Sequence, residues 1–200
     1  MTEIDFYYDF GSPNAYLVHK TLPALAARHG AVVRYRPMLL GGVFKATQNQ
    51  SPVQAFANVA GKLEYQRREM ARFVARNEVP FAMNPNFPIM TIGVMRGAIF
   101  AEGKPWQARY TDVVFDAMWQ DQEKMDDPDV IARVLSAADL PAEEIMAATQ
   151  TPEVKSALIE ATDAAVKRGV FGAPTQFLGD EMFFGKDTLG DMEWVLGKVG

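Results

Sequence analysis

The feature that most constrains this chain is the junction where the aromatic-rich run Ile4-Asp5-Phe6-Tyr7-Tyr8-Asp9-Phe10 ends in Gly11-Ser12-Pro13. An apolar run bounded by such punctuation reads as a strand. Ser12 is a favoured N-cap, and Pro13 suits the first helical position, where its missing N–H would have had no partner. The strand therefore delivers a serine hydroxyl to a helix N-terminus, among free N–H groups and at the positive end of the helix dipole. Such a place suits an anion. The chain contains no cysteine, so any thiol chemistry here must use a sulfur brought in by a ligand.

The residues that follow extend this opening. Tyr16, Leu17, Leu22, Leu25 and Ala26 fall near helical spacing, Gly30 stops the pattern, and Ala31-Val32-Val33-Arg34-Tyr35-Arg36 reads as a second strand before Pro37. Residues 41–168 have a helical texture throughout. Residues 53–76 hold a single glycine, Gly61, residues 90–102 and 106–119 are apolar-periodic, and Pro128 and Pro141 sit at helix starts. Strand character returns only at Thr175-Gln176-Phe177-Leu178, which Gly179-Asp180 turns into Glu181-Met182-Phe183-Phe184, with a last helix expected from about Asp187.

Composition narrows the function classes. With 200 residues, 48% of them hydrophobic, the chain can bury a sizeable core, and a net charge of -5 with scattered Lys and Arg argues against a nucleic-acid face. No basic leader and no membrane-length apolar run stands in the sequence, so a cytoplasmic protein without membrane contact is expected. The two histidines, His19 and His29, both fall in the first helix region and read as structural, which leaves no Ser-His-Asp arrangement. No zinc-type cluster is present, Asp126-Asp127-Pro128-Asp129 reads as a helix start instead of a calcium loop, and Gly41-Gly42 is no nucleotide loop; no metal is expected.

The order is βαβ, a helical block, then ββα, which is that of a thioredoxin-like fold interrupted between its halves. We expect an α/β protein with a discontinuous thioredoxin-like domain, residues 1–40 and 169–200, and a helical insertion domain, residues 41–168. Gly169-Val170-Phe171-Gly172-Ala173-Pro174-Thr175 places a proline directly before a strand, where thioredoxin-like proteins keep a cis proline opposite the helix N-terminus. In such folds the Ser12 junction carries the first cysteine of Cys-x-x-Cys; here the tetrad reads Ser12-Pro13-Asn14-Ala15.

Nearly the whole chain resembles the glutathione-dependent 2-hydroxychromene-2-carboxylate isomerases, which belong with the kappa-class glutathione transferases near the DsbA-type oxidoreductases. The residues that carry the likeness are Asp9-Phe10-Gly11-Ser12-Pro13-Asn14-Ala15-Tyr16, Asn49-Gln50-Ser51-Pro52, Lys62-Leu63-Glu64-Tyr65 and Arg72. They continue with Phe87-Pro88, Met95-Arg96, Phe115-Asp116-Ala117-Met118-Trp119, Val170-Phe171-Gly172-Ala173-Pro174-Thr175 and Phe183-Phe184-Gly185-Lys186-Asp187. The resemblance implies that Ser12 donates a hydrogen bond to the glutathione sulfur and that Ala173, ahead of Pro174, pairs through its backbone with the cysteinyl part. It implies that Asp187 with Lys186 meets the γ-glutamyl end, that Asn49 and Lys62 lie on the substrate side, and that the enzyme is a homodimer.

Energetics supports the Ser12 role without the family. A thiol of pKa ~8.5 is only a few per cent ionised at neutral pH, and bringing it to half ionisation takes roughly 2 kcal/mol. A helix N-terminus contributes up to ~2 kcal/mol in favourable geometry, and one hydrogen bond to a charged group about 1.5–3 kcal/mol. The thiolate can add to a conjugated carbonyl compound, turn a double bond into a rotating single bond, and leave again. The reading is a glutathione-dependent cis-trans isomerase acting on 2-hydroxychromene-2-carboxylate, through ring opening to trans-o-hydroxybenzylidenepyruvate, or on a related intermediate of aromatic-compound breakdown. A kappa-type glutathione transferase is the alternative, and a non-catalytic thioredoxin-fold binding module a further one. Phe44, Phe56, Met83, Phe87, Met90 and Trp119 are expected to form an apolar substrate wall, with Lys62 facing a single substrate carboxylate.

Overall fold

The computed structural model describes residues 2–199. Strand β1 (Glu3–Tyr8) leads into helix α1 (Pro13–Arg28) and strand β2 (Val32–Pro37), and eight helices follow before the next strand among the described residues. These are α2 (Leu40–Thr47), α3 (Pro52–Ala55), α4 (Lys62–Asn77), α5 (Ile92–Ala101), α6 (Gln107–Trp119), α7 (Pro128–Ala137), α8 (Ala142–Ala148) and α9 (Pro152–Lys167). The hairpin β3 (Thr175–Leu178) and β4 (Glu181–Phe184) and helix α10 (Leu189–Val199) end the chain.

The four strands form one sheet in the order β2-β1-β3-β4. β1 runs parallel to β2, with Phe6 opposite Tyr35, and antiparallel to β3, with Phe6 opposite Gln176. β3 and β4 close as an antiparallel hairpin. Because side chains alternate along a strand, Ile4, Phe6 and Tyr8 pack with the apolar face of α1, whereas Tyr7 joins Phe177, Val43, Ala165 and Val170 on the other face. The first of these clusters is continuous from the sheet into α5, α6, α7 and α8, so the helical block shares its core with the strands.

Several element boundaries differ from the sequence reading, each for a local reason. β1 stops at Tyr8, not Phe10, because the Asp9 side chain accepts the Gly11 N–H at 2.8 Å and bends the chain out of the sheet. The stretch 53–76 is broken, since Gly61 takes a left-handed conformation (φ 76°) and serves as the cap of α4. The last helix starts at Leu189, two residues after Asp187. Caps agree with expectation elsewhere: Asp127 accepts from the Asp129 N–H at 3.0 Å, with Pro128 as the first residue of α7. The Ala173–Pro174 peptide is cis as expected, and Phe87–Pro88 is cis as well. No described helix is long and apolar enough to cross a membrane.

Candidate functional site

Ser12 sits where β1 hands over to α1. Its extended backbone (φ -98°, ψ 113°) places the hydroxyl over the first helical turn, where it accepts the Ala15 N–H at 3.1 Å. The same hydroxyl donates to the Ala173 carbonyl at 3.2 Å, across 161 residues of chain, and only 5% of Ser12 is exposed. The helix N-terminus and the cis-proline loop thus meet at one oxygen. A hydroxyl so placed keeps one donated hydrogen bond that an anion entering at the α1 N-terminus can take over from a neutral carbonyl.

The second half of the site hangs from the same loop. The Pro174 carbonyl accepts the Gly185 N–H at 2.9 Å, and Gly185 needs its positive φ (87°) to turn the chain there. Next to it, Lys186 is 3% exposed, and its ammonium pairs with Glu69 on α4 and with Asp187 Oδ1 at 2.6 Å, lying 5.3 Å above the Phe73 ring. Burying an ammonium demands such compensation, and two carboxylates and an aromatic face supply it. Asp187 keeps 65% of its side chain in solvent, so its carboxylate can accept from a further cation.

Asn49 donates its amide to the Phe171 carbonyl at 2.8 Å, two residues before Ala173, and its own oxygen accepts the Gln50 N–H. It thereby ties the end of α2 to the cis-proline loop. Lys62 stands apart as the first residue of α4, its ammonium 5.2 Å from the Phe56 ring and in no ion pair among the described residues. Seven residues separate it from Glu69, so the two lie on one face of α4 about 10 Å apart along its axis. Ser12, Ala173, Pro174, Lys186, Asp187 and Asn49 are thus linked through hydrogen bonds and chain neighbours, whereas Lys62 connects to them only along its helix.

One member of the expected apolar wall, Trp119, is corrected. Trp119 is fully buried and donates its indole N–H to the Phe10 carbonyl at 2.7 Å, stacked on Phe81 with Phe87 inclined against it, because the last turn of α6 faces the core. Met83 and Met90 lie on the surface instead. The histidines are structural: His19 Nδ1 meets the Tyr35 hydroxyl at 2.8 Å and Nε2 meets Asp112 at 2.9 Å, and His29 lies 3.4 Å from Glu193.

Sequence reasoning assigned no role to four groups that belong here. Glu69 is one. Phe171 and Phe184 pack with ring centroids 4.5 Å apart and planes inclined by 41° beside the cis-proline loop, an approach that Gly172 permits, since a Cβ there would come within 2.9 Å of Phe184. The fourth is Asp9, a buried carboxylate under the Ser12 turn. Burial pushes its pKa up, and the hydrogen bonds of Leu40, Gly11 and Thr91 hold it back.

Residues 3–196 match the family model of the DSBA-like thioredoxin domain. The chain belongs to that family. Within it, the chain is 31% identical over 201 residues to the 2-hydroxychromene-2-carboxylate isomerase of Pseudomonas putida, covering 98% of this chain and 95% of that protein, and so belongs to the family of these isomerases. A solved 2-hydroxychromene-2-carboxylate isomerase structure superposes with a TM-score of 0.86 at 30% identity, covering 98% of this chain and 95% of the other. Glutathione S-transferase kappa 1 of Rattus norvegicus is 26% identical over 98% of this chain and 91% of its own length. Both groups of relatives carry enzyme names.

Proposed function

We propose that this chain is a glutathione-dependent cis-trans isomerase of an aromatic carboxylate of the 2-hydroxychromene-2-carboxylate type. The observation that carries the reading is the Ser12 hydroxyl, held at the N-terminus of α1 and against Ala173 of the cis-proline loop, in a family member that has no cysteine of its own.

The residues present fit glutathione. The Ala173 backbone offers an edge to a peptide, Asp187 is a solvent-facing carboxylate suited to an α-ammonium group, and Ser12 is a donor at a positive helix end. Bound glutathione would supply a thiolate that adds reversibly to a conjugated double bond. Ser12 would turn its hydroxyl from the Ala173 carbonyl to that sulfur and, with the α1 dipole, hold it ionised. Lys186 would steady Asp187 beside the ligand's γ-glutamyl end. Lys62, with no carboxylate partner among the described residues, would pair with the substrate carboxylate, and Asn49 would hold the substrate side of the loop in register through Phe171.

In the same reading, residues 41–168 are the substrate-side insertion on a discontinuous thioredoxin-like half, residues 1–40 and 169–200, in a cytoplasmic homodimer that works within aromatic-compound breakdown. The test is an assay of 2-hydroxychromene-2-carboxylate against its ring-opened trans isomer with trace glutathione. Interconversion without loss of glutathione supports the isomerase. No interconversion, together with stoichiometric conjugation of an aryl electrophile, moves the assignment to a kappa-type transferase, the reading the rat relative favours. No heat of binding on calorimetric titration with glutathione leaves a non-catalytic module.

A further inference from the structure

The turn that presents Ser12 is held at nearly every backbone group. The Phe10 N–H points to Met95 Sδ at 3.4 Å on α5, and the Phe10 carbonyl accepts from Trp119 on α6 at 2.7 Å. The remaining anchors converge on Asp9. Its carbonyl accepts the Ser12 N–H at 3.0 Å, and its carboxylate takes three donors: the Gly11 N–H at 2.8 Å, the Leu40 N–H at 2.8 Å and the Thr91 hydroxyl at 2.7 Å. Leu40 opens α2 and Thr91 precedes α5, so one side chain joins the serine turn to two segments of the helical block.

Asp9 is 1% exposed and forms no ion pair among the described residues. A buried carboxylate without a cation is a costly way to fill space, since an apolar side chain would do so without desolvating a charge. Its three donors offset that cost and at the same time pin the turn to α2 and to the start of α5. Space is short as well: a Cβ on Gly11 would lie 3.1 Å from the Thr91 methyl and 3.3 Å from the Asp9 carboxylate, so Gly11 and Asp9 are fitted to each other.

We propose that Asp9 is a positioning residue that, from beneath the β1–α1 turn, sets the Ser12 hydroxyl for the bound thiol and registers it against α2 and α5. The proposal rests on the glutathione reading of Ser12 and names a residue that touches neither ligand. Asp9 acts by placement, through Ser12, and Thr91 is its partner across the turn.

The experiment compares Asp9→Asn, Thr91→Val, Thr91→Ser, Ser12→Ala and the Asp9→Asn/Ser12→Ala double variant. Two readouts are taken: isomerase kinetics, and the pKa of enzyme-bound glutathione followed by the ultraviolet absorbance of its thiolate. Asp9→Asn is expected to lower kcat on the order of 10–100-fold, the consequence of a misplacement near an ångström, with the KM for the aromatic carboxylate unchanged and the thiol pKa raised. Thr91→Val should move both readouts the same way by less, and Thr91→Ser should restore them. In the double variant, Asp9→Asn should add no further loss to that of Ser12→Ala, because it acts through the same hydroxyl.

A lowered thiol pKa in Asp9→Asn would show that the carboxylate acts by its charge and would overturn the proposal, as would multiplying losses in the double variant. If Asp9→Asn does not fold, Thr91→Val decides alone, and wild-type values for its kcat and thiol pKa refute the idea. A wild-type rate in Ser12→Ala would instead remove the glutathione reading itself, and the role of Asp9 with it.

Discussion

Replacing Ser12 separates capping from catalysis, because the hydroxyl performs two tasks that different substitutions remove differently. It accepts the Ala15 N–H as the N-cap of α1 and donates to the Ala173 carbonyl. Ser12→Ala removes both, and the cap alone is worth about 1 kcal/mol. Ser12→Gly also removes the hydroxyl, yet glycine at an N-cap loses only a few tenths of a kcal/mol. For a chain of this size, 1 kcal/mol corresponds to a melting-temperature drop of about 2–4 °C, so Ser12→Ala should melt measurably below Ser12→Gly. Activity should not follow that order. Removing one preorganised donor to a developing anion costs about 2.7–4 kcal/mol, so both variants should lose on the order of 10²–10³ in kcat. Scanning calorimetry and the glutathione-dependent isomerisation assay give the two numbers. A Ser12→Gly enzyme at the wild-type rate would refute the catalytic use of the hydroxyl and leave Ser12 a cap.

Other perturbations probe the rest of the site and its support. Lys62→Ala should raise KM or lower kcat for the carboxylate substrate, while the glutathione affinity measured by calorimetry stays unchanged. Glu69→Ala leaves the buried Lys186 ammonium with Asp187 alone and should cost about 2–3 kcal/mol in denaturant unfolding, the low side for breaking a buried pair, since Glu69 keeps access to water. Gly97→Ala puts a Cβ 2.0 Å from the Tyr110 hydroxyl, which is held on the Val94 carbonyl, and should destabilise by roughly 1–3 kcal/mol in the same assay; unchanged stability would contradict the packing of α5 on α6. Burial works to raise the Asp5 pKa, but hydrogen bonds from Arg168 and Arg36 outweigh it and hold the carboxyl below its usual value. A depressed pKa adds stability that is complete above about pH 4 and is lost as pH falls through the folded value, so Asp5→Asn should flatten the acid limb of the stability curve.

What could be read from the sequence divides along the distance between interacting residues. Ser12 capping Ala15, Asp127 capping Asp129 and the hairpin turn at Gly179 are interactions within three residues, and local chemistry alone predicts them. The cis bond before Thr175 was legible only because the order of elements and the family resemblance supplied a partner for it. The interactions that hold the site together lie elsewhere: Asp9 meets Thr91 across 82 residues, Phe10 meets Trp119 across 109, and Lys186 meets Glu69 across 117. Periodicity shows Trp119 as an apolar residue of α6 and cannot tell a core face from a pocket wall, so its indole N–H was invisible as the anchor of the serine turn. Yet each of these long-range bonds joins one of the strand-bearing halves of the chain to the helical block between them. If the block merely roofed the fold, its polar contacts with the Ser12 turn would be dispensable; instead α2, the Thr91 cap of α5, Met95 and Trp119 together hold the backbone and carboxylate that present one hydroxyl. The geometry that holds Ser12 therefore depends on the helical block as much as on the sheet.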